Sequence, residues 1–377
     1  MPAFHKLLFI FGTRPEAIKL APLILEFRKH DQFDVKVCVT AQHRQMLDQV
    51  LDFFEIKPDY DLDIMKPDQT LFEVTAEGLK ALEKVYNDSS PDLVFVQGDT
   101  TTSFIGALAA YYSKVKVAHI EAGLRSGNKY SPFPEELNRI LASQLSDFHF
   151  TPTTGSINNL NKENINANIY AVGNTVIDAL FLGLELLKKR GEDEYSTFFK
   201  NIDLTKKIVL ITGHRRESFG EPFQNICMAI KTCAEKFPSV EFVYPVHLNP
   251  NVQKTVHGLL SGVKNVHLME PLGYAHFTWL MNKSYVVLTD SGGLQEEAPA
   301  LAKPVLVMRD VTERQEGIDA GTALLVGTDE QRIIDLLSLL LTDKSEYEKM
   351  AKAISPYGDG TACRKIVEII KQQSIEY

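Results

Sequence analysis

The sequence has few of the residue patterns that mark secreted or membrane-spanning proteins. Only 4 of its 377 residues are cysteine, and they form neither a CxxC pair nor a disulfide-framework spacing. We therefore expect reduced, buried cysteines. No apolar run approaches the roughly 20 residues of a membrane span. The apolar stretch at residues 7–11 leads directly into Gly12-Thr13-Arg14, without a signal-peptide cleavage site. These absences predict a cytoplasmic protein with no membrane segment.

An excess of positive charge is also missing. The chain has 40 basic and 49 acidic residues, a net charge of -9. This argues against non-specific binding to nucleic acid or to an anionic membrane, because both require a basic face. The chain shows no metal-ligand spacing, no short-period repeat and no low-complexity segment. Its 44% apolar and 24% charged residues are typical of a soluble globular protein.

Short apolar, β-branched runs alternate with segments of helical period through most of the chain. This pattern predicts parallel βαβ units. It restarts after a charged, poorly patterned stretch at residues 188–207. We therefore predict the α/β class, with two Rossmann-like doubly wound domains facing a cleft. The expected domains are residues 1–173 plus 359–377, and residues 174–358.

Three carboxylates are the leading candidates for catalysis. Asp99 and Glu121 directly follow predicted strands, and Glu135 stands at the head of a predicted helix. Open α/β sheets bind ligands at the C-terminal ends of their strands, so the three acids could converge there and transfer protons. For any single one of them, a helix cap or an ion pair is the commoner role.

The first basic candidate site is the strand-to-helix turn at Gly12-Thr13-Arg14. Its backbone amides and the helix dipole suit an anion, and Arg14 and Lys19 add full charges. The turn is neither a GxGxxG nor a Walker loop, which disfavours dinucleotide or P-loop ATP binding. The alternative is that Arg14 and Lys19 pair with surface acids.

Three segments of the second half predict a site for a nucleoside diphosphate. Ser291-Gly292-Gly293 follows a strand and opens a helix, and Glu297 lies about one turn later, where it could accept both ribose hydroxyls. Glu296 points elsewhere and is expected to be solvated or ion-paired. His214, flanked by Arg215 and Arg216, could bind or protonate a phosphate. Arg309 and Arg314 would add positive charge.

Together these motifs resemble those of the bacterial UDP-N-acetylglucosamine 2-epimerases over essentially the full length. The matching segments are FGTRPEAIKLAPL, CVTAQHRQMLDQV, QGDTTT, HIEAGLRSG, PEELNR, GNTVIDAL, TGHRRESFG, YPVHLNPNV, LTDSGGLQEEAP, AKPVLVMRD and PYGDG. The resemblance implies the glycosyltransferase B fold, a homodimer, and conversion of UDP-GlcNAc to UDP-ManNAc for cell-envelope polysaccharide synthesis. One departure is Gln315, where relatives commonly carry proline.

The resemblance also implies roles for individual residues. Acting on or contacting the substrate are Arg14, Lys19, Asp99, Glu121, Glu135, His214, Phe277, Ser291, Gly292, Gly293, Glu297 and Arg314, with the backbone of Leu272 near the uracil. In the non-hydrolysing branch a second, regulatory UDP-GlcNAc binds beside the active site. The corresponding set here is Gln42, Gln45, Gln69, Glu136, Arg215 and His247. Without the family, Gln42 and Gln45 would be interpreted as a polar first turn of a helix.

The expected reaction is elimination of UDP to 2-acetamidoglucal, followed by re-addition of UDP and a proton on the opposite face of C2. It needs acid and base groups and a clamp for UDP, and neither cofactor nor metal. Two alternatives stay open. A hydrolysing epimerase would release UDP and ManNAc, and a glycosyltransferase of the same fold would share the Ser291-Gly292-Gly293 and Glu297 grip. A non-catalytic UDP-sugar sensor is disfavoured because the acids and His214 are all present.

Overall fold

The computed structural model describes residues 4–40, 44–64 and 69–373, except for the side chain of Gln45. The chain forms two compact units. The N-terminal unit comprises Met1–Leu182 and Tyr357–Tyr377, and the C-terminal unit comprises Gly183–Pro356. Residues 174–182 and 357–358, assigned above to the second domain, thus lie in the N-terminal unit. The backbone explains this, because the Asn174 amide donates to the Tyr357 carbonyl at 2.7 Å.

The N-terminal unit is built on a seven-stranded parallel sheet with strand order β3-β2-β1-β4-β5-β6-β7. Its strands are β1 (Lys6–Phe11), β2 (Asp34–Val39), β3 (Tyr60–Asp61), β4 (Leu93–Gln97), β5 (Lys116–Ile120), β6 (Phe148–Thr151) and β7 (Ile169–Ala171). Its helices are α1 (Arg14–Phe27), α2 (Arg44–Phe53), α3 (Leu71–Ser89), α4 (Thr101–Tyr112), α5 (Glu135–Leu145), α6 (Thr154–Lys162) and α7 (Thr175–Arg190), which runs past the unit boundary.

The C-terminal unit repeats this plan with six parallel strands in the order β10-β9-β8-β11-β12-β13. Its strands are β8 (Lys207–Thr212), β9 (Val240–Pro245), β10 (Val266–Met269), β11 (Val286–Thr289), β12 (Val305–Val307) and β13 (Ala323–Leu325). Its helices are α8 (Asp193–Phe198), α9 (Glu221–Lys236), α10 (Pro250–Leu260), α11 (Tyr274–Lys283), α12 (Leu294–Ala300), α13 (Gln315–Asp319), α14 (Glu330–Thr342) and α15 (Lys344–Ala351).

The final helix, α16 (Ala362–Gln372), packs on the N-terminal unit against α1. Asp178 caps it: its carboxylate accepts from the backbone N–H groups of Ala362 at 3.3 Å and Cys363 at 2.9 Å. The apolar stripe of α16, which includes Ile366 and Ile370, is fully buried. A terminal helix with one apolar face must cover a core, and here it covers that of the first unit.

The strand order locates a ligand site in each unit. In both sheets the order reverses beside the first strand, between β1 and β4 and between β8 and β11. Doubly wound sheets bind ligands at this switch point, outside the carboxyl ends of the strands. The loops concerned begin at Gly12 and Gly98 in the first unit and at Gly213 and Asp290 in the second.

The α/β class with two Rossmann-like doubly wound units is confirmed. The alternation of short apolar runs with helical segments indicated this plan, because buried parallel strands are continuous apolar runs. The two-residue strand β3 was not predicted. The charged, poorly patterned stretch at 188–207 contains α8.

Candidate active site

Glu121 is the most heavily bonded of the three candidate acids. It directly follows β5, its φ is 62°, and it is only 9% exposed. The Lys19 ammonium lies 2.6 Å from both of its carboxylate oxygens. The Asn174 amide donates to Oε1 at 3.0 Å, and the Gln97 amide donates to Oε2. Charge-assisted hydrogen bonds therefore hold this carboxylate from three segments: helix α1, strand β4 and the loop before α7.

Asp99 lies on the adjacent loop after β4. Its carboxylate pairs with Arg139 of α5, and its backbone carbonyl accepts from the Asn138 amide at 3.0 Å. The side chain is 32% exposed, so it stays accessible to a ligand. The Glu121 carboxylate lies beside this loop, because a Cβ built on Gly98 would be 3.5 Å from its Oε2. Asp99 and Glu121 are therefore neighbours.

Glu135 begins helix α5, the helix whose next turn binds Asp99 through Asn138 and Arg139. Its side chain is half-buried and makes no hydrogen bond or ion pair with other described residues. The three predicted acids thus stand on segments that contact one another, at the C-terminal edge of the first sheet. Their surroundings differ: Glu121 is buried and paired, Asp99 is half-buried and paired, and Glu135 is unpaired among described residues.

Glu16, which the sequence analysis did not single out, joins the two loops of this switch point. Its Oε2 accepts from the backbone N–H groups of Gly12 at 3.1 Å and Thr13 at 2.8 Å. Its Oε1 accepts from the hydroxyls of Thr100 at 2.7 Å and Ser103 at 3.1 Å. Burial raises the pKa of Glu16, although these hydrogen bonds oppose the shift. A signal existed, because Thr-x-x-Glu before an apolar run is a capping pattern.

This arrangement changes the interpretation of the first turn. The Gly12 and Thr13 amides, expected to face an anion, already donate to Glu16. Arg14, half-buried at the start of α1, and Lys19 remain as the basic groups of this turn. Lys19 does pair with an acid, as the alternative held, but that acid is the buried Glu121 and not a surface residue.

The buried histidine His119 contacts the backbone of the loop that contains Asp99. His119 of β5 is 0% exposed, and its Nε2 lies 2.7 Å from the Gly98 carbonyl oxygen. Its Nδ1 lies 3.3 Å from the Ser143 hydroxyl, to which Arg125 donates at 3.2 Å. Burial lowers the pKa of His119 to about 3, so the ring is neutral and Nε2–H is the donor to Gly98. The sequence alone did not indicate this support.

In the C-terminal unit, His214 lies at the switch point, just after β8. Its side chain is 43% exposed, and its ring stacks on that of His247 with centroids 4.9 Å apart. Asp290, directly after β11, accepts from the backbone N–H groups of His214 at 2.6 Å and Arg215 at 2.8 Å. Asp290 precedes the predicted Ser291-Gly292-Gly293 turn, yet the sequence offered no reason to select it.

The Ser291-Gly292-Gly293 turn lies between β11 and α12. The Ser291 N–H donates to the Thr289 hydroxyl at 2.9 Å, which fixes the start of the turn. The Arg314 guanidinium lies against Gly292, since a Cβ built there would be 3.8 Å from Arg314 Cζ. The turn and the arginine are therefore brought together.

The two glutamates of α12, Glu296 and Glu297, have different surroundings. Glu296 is ion-paired with Arg314, its Oε1 lying 2.5 Å from Nε, but it is only 3% exposed and is not solvated. Glu297 is half-buried on the same helix. Arg309, expected to add positive charge to this pocket, pairs with Glu217 at 3.0 Å and with Glu313 at 2.8 Å.

The remaining predicted positions lie on nearby segments of the C-terminal unit. Leu272 precedes α11 and Phe277 lies on that helix, both half-buried. Gln315 is the first residue of α13, and its amide donates to Asp319 at 2.8 Å. Proline favours this first helical position but is not required there, so glutamine is compatible with the helix.

The predicted regulatory residues are only partly described. Gln42 lies outside the described residues, as does the side chain of Gln45. Gln69 donates to the Ile64 carbonyl at 2.9 Å and to Glu77 at 3.0 Å. Glu136 is 1% exposed and accepts from the N–H groups of Ser126 and Gly127 at 3.0 Å. It therefore anchors the loop that leads to Glu135.

Residues 4–40, 44–64 and 69–373 contain no group of three histidine, cysteine, aspartate or glutamate side chains that could hold a metal ion. Within the same ranges, no helix has the length and apolar character needed to cross a membrane. All four cysteines are buried, as expected, and burial raises the pKa of the Cys227 thiol to about 12.

Comparison with known proteins identifies the family. The sequence model described as UDP-N-acetylglucosamine 2-epimerase matches residues 25–371. The chain belongs to the UDP-N-acetylglucosamine 2-epimerase family. It is 52% identical over 373 residues to the UDP-N-acetylglucosamine 2-epimerase of Escherichia coli (strain K12), covering 98% of this chain and 99% of the relative. The family predicted from the sequence is thereby confirmed.

Solved structures of 2-epimerases agree with this assignment. The Neisseria meningitidis UDP-GlcNAc 2-epimerase, crystallised bound to UDP-GlcNAc, is 54% identical with a TM-score of 0.89, covering 98% of this chain and 100% of that one. The Methanocaldococcus jannaschii 2-epimerase, crystallised with UDP-GlcNAc and UDP, is 34% identical with a TM-score of 0.79 at the same coverage. The 2-epimerase fold, of the glycosyltransferase B type, is therefore that of this chain.

Proposed function

We propose that this chain interconverts UDP-GlcNAc and UDP-ManNAc by eliminating and re-adding UDP, without hydrolysing the intermediate. The observation that carries the proposal is the Glu121 carboxylate, held at the C-terminal end of β5 by Lys19, Gln97 and Asn174 and adjacent to Asp99. Buried carboxylates held in ligand-binding loops are candidates for proton transfer. Membership of the epimerase family supplies the substrate class.

The reaction follows from the chemistry of C2. Its proton is not adjacent to a carbonyl, so direct removal would be very slow. When the C1–O bond breaks, the electron pair leaves with UDP, and positive charge at C1 acidifies the C2 proton. A carboxylate takes that proton, and 2-acetamidoglucal forms. Return of a proton to the opposite face of C2, with attack of UDP on C1, gives the epimer.

The different surroundings of the three acids support separate roles. Glu121 is buried and ionically paired, whereas Glu135 has no partner among the described residues and Asp99 is a third exposed. Carboxyl groups in unlike environments can serve as base and acid in one reaction. We propose that Asp99, Glu121 and Glu135 divide these tasks, one removing the proton and another returning it.

UDP binding is proposed for the C-terminal unit. The Ser291-Gly292-Gly293 turn with Arg314 beside it suits a diphosphate, and Glu297 lies one turn along α12 for the ribose. His214 at the neighbouring strand end would contact a phosphate. Leu272 and Phe277 are proposed near the uracil, and Arg14 and Lys19 are proposed as further basic groups that bind the substrate.

A deuterium experiment tests the mechanism. The purified protein is incubated with UDP-GlcNAc in D₂O, and both UDP-sugars are examined by NMR and mass spectrometry. We expect one deuterium at C2 and an equilibrium of the two epimers. Epimer without deuterium would contradict elimination, and free ManNAc with UDP would identify the hydrolysing alternative. Glu121→Gln is the matched control, with exchange expected to fall by about 10²- to 10⁴-fold.

A regulatory second UDP-GlcNAc is part of the proposal. The Methanocaldococcus jannaschii relative was crystallised with UDP-GlcNAc and UDP together. Here, two candidate regulatory residues contact the active-site candidates: His247 stacks on His214, and Arg215 Nε donates to the Asp290 carbonyl at 3.2 Å. We expect initial rates that are sigmoidal in UDP-GlcNAc and become hyperbolic in His247→Ala. A hyperbolic dependence in the unmodified protein would contradict regulation.

We also infer a homodimer and a cytoplasmic location, both from the family resemblance. Sedimentation equilibrium tests the first, with a mass of twice that of the chain expected. Fractionation of the producing cells tests the second.

A further inference from the structure

Asp290 has one carboxylate oxygen that accepts hydrogen bonds and one that accepts none. Its Oδ2 accepts the backbone N–H groups of His214 and Arg215, at 2.6 and 2.8 Å. Its Oδ1 is buried, accepts no hydrogen bond, and lies 3.4 Å from Nδ1 of the His214 ring. The side chain as a whole is only 4% exposed. Burying an unsatisfied carboxylate oxygen is costly, which points to a function for its orientation.

The His214 ring is confined from its other side. It stacks on His247 with an angle of 12° between the ring planes. The Asn249 N–H donates to Nδ1 of His247 at 3.1 Å, so the His247 ring is itself held in place. Burial lowers the pKa of His247, and the proximity of His214 lowers it further, which favours an uncharged stacking partner. His214 is thus held between the His247 ring and the Asp290 carboxylate.

We infer that Asp290 is a positioning residue for His214, holding its Nδ1–H so that Nε2 is the ring nitrogen presented to a phosphate oxygen of UDP. This deepens the proposed function and rests on it for the identity of the ligand. When UDP leaves, protonated His214 donates Nε2–H to the departing phosphate, and Asp290 stabilises the positive charge. In the neutral ring Nε2 is unprotonated and can accept that proton again. No other reactant is required.

The decisive variant is Asp290→Asn. Its amide oxygen can still accept the two backbone N–H groups, so the turn is retained. Its NH₂ group then faces Nδ1, which must become an acceptor, and the neutral ring is driven to the opposite tautomer. The ¹⁵N chemical shifts of the imidazole report this directly. We expect Nδ1–H in the unmodified protein and Nε2–H in Asp290→Asn, with the His214 signals assigned by their loss in His214→Gln.

Kinetics show whether the orientation matters. We expect kcat to fall by about 10- to 100-fold in Asp290→Asn, as for loss of one hydrogen bond to a charged group, while the Kd for UDP changes less than threefold. Asp343→Asn is the matched control, because Asp343 also accepts two backbone N–H groups, of Ser345 and Glu346, but has no histidine partner. It should retain the unmodified kcat.

Three results would contradict the positioning role of Asp290. An unchanged tautomer, or an inverted tautomer with unchanged kcat, would overturn the inference. If Asp290 only holds the turn, Asp290→Ala loses activity and Asp290→Asn does not, which also overturns it. Failure of the proposed function is recognised separately, because the unmodified protein would then form no UDP-ManNAc whatever the tautomer of His214.

Discussion

The ammonium nitrogen of Lys19 lies 2.6 Å from both carboxylate oxygens of Glu121. The side chains are 18% and 6% exposed, so this pair is largely removed from water. Together with Gln97 and Asn174, Lys19 occupies the lone pairs with which Glu121 would accept a proton. These contacts fix the Glu121 carboxylate in position, and the Lys19 ammonium balances its charge.

The first prediction concerns this pair. Lys19→Met leaves a buried carboxylate without its cation, which should lower the free energy of unfolding by about 3 kcal/mol and kcat/KM by about 10- to 100-fold. Urea unfolding and the initial rate of epimerisation measure these effects. Lys29→Met is the control, since it removes an exposed pair, at 2.6 Å, between Lys29 and Glu26 at the C-terminal end of the same helix. Equal small effects in both variants would contradict the role of Lys19.

The second prediction concerns the Glu296–Arg314 pair. Glu296→Ala should release Arg314 from Gly292 and raise the Kd for UDP by about tenfold, with a smaller change in kcat. Calorimetric titration with UDP measures the affinity. Glu348→Ala, which removes an exposed pair with Lys352 in the same unit, should leave the Kd unchanged. Unaltered UDP binding in Glu296→Ala would show that Arg314 needs no such support.

The third prediction concerns close packing at Gly12. A Cβ there would lie 2.0 Å from the Thr40 hydroxyl oxygen and 2.8 Å from that of Thr102. Gly12→Ala should therefore destabilise the protein by about 1–3 kcal/mol. In contrast, a Cβ at Gly258, within α10, meets nothing within 4 Å. Gly258→Ala should stabilise by about 0.5–1 kcal/mol, and urea unfolding of both variants checks the difference in sign.

The fourth prediction concerns acid stability. Burial lowers the pKa of His119 from 6.5 to about 3, so the unfolded chain binds a proton there that the folded chain does not. The contribution of neutral His119 to the free energy of unfolding is therefore fully present above about pH 6.5. It is lost as the pH falls from that value towards 3. In His119→Asn the free energy of unfolding should fall less steeply between those pH values.

His257→Asn controls for this effect, because His257 is exposed on α10 and should leave the slope unchanged. The slopes are compared, not the absolute stabilities, since asparagine need not reproduce the bond to the Gly98 carbonyl. A slope in His119→Asn equal to that of the unmodified protein would show that His119 also binds a proton when folded.

Local patterns were sufficient for most of the fold. Strands such as Leu93–Gln97 and helices such as Thr101–Tyr112 are marked by continuous apolar runs and by a capping threonine. Strand β3 escaped detection because two residues cannot show a period. The C-terminal ends of strands were also recognisable, and with them Asp99, Glu121 and His214 as site candidates.

Partners of the charged side chains could not be predicted in the same way. Lys19 and Glu121 are 102 residues apart in sequence, His214 and Asp290 are 76 apart, and Thr100 and Glu16 are 84 apart. Each pair meets because the sheets place segments that are distant in sequence side by side. A charged residue alone does not indicate which of many acids it will face.

The sequence by itself determined the class of fold, the segments that form the site and the family, because these depend on local periodicity and on motifs read in order. Only the tertiary structure decided how the site residues are held. In the folded chain, Glu16 accepts hydrogen bonds from the Gly12 and Thr13 amides, and Lys19 pairs with Glu121. One Asp290 oxygen faces the His214 ring. The physical reason is that a buried polar or charged group pairs with the groups that the packed sheets bring within about 3 Å of it. No local sequence pattern specifies which groups those are.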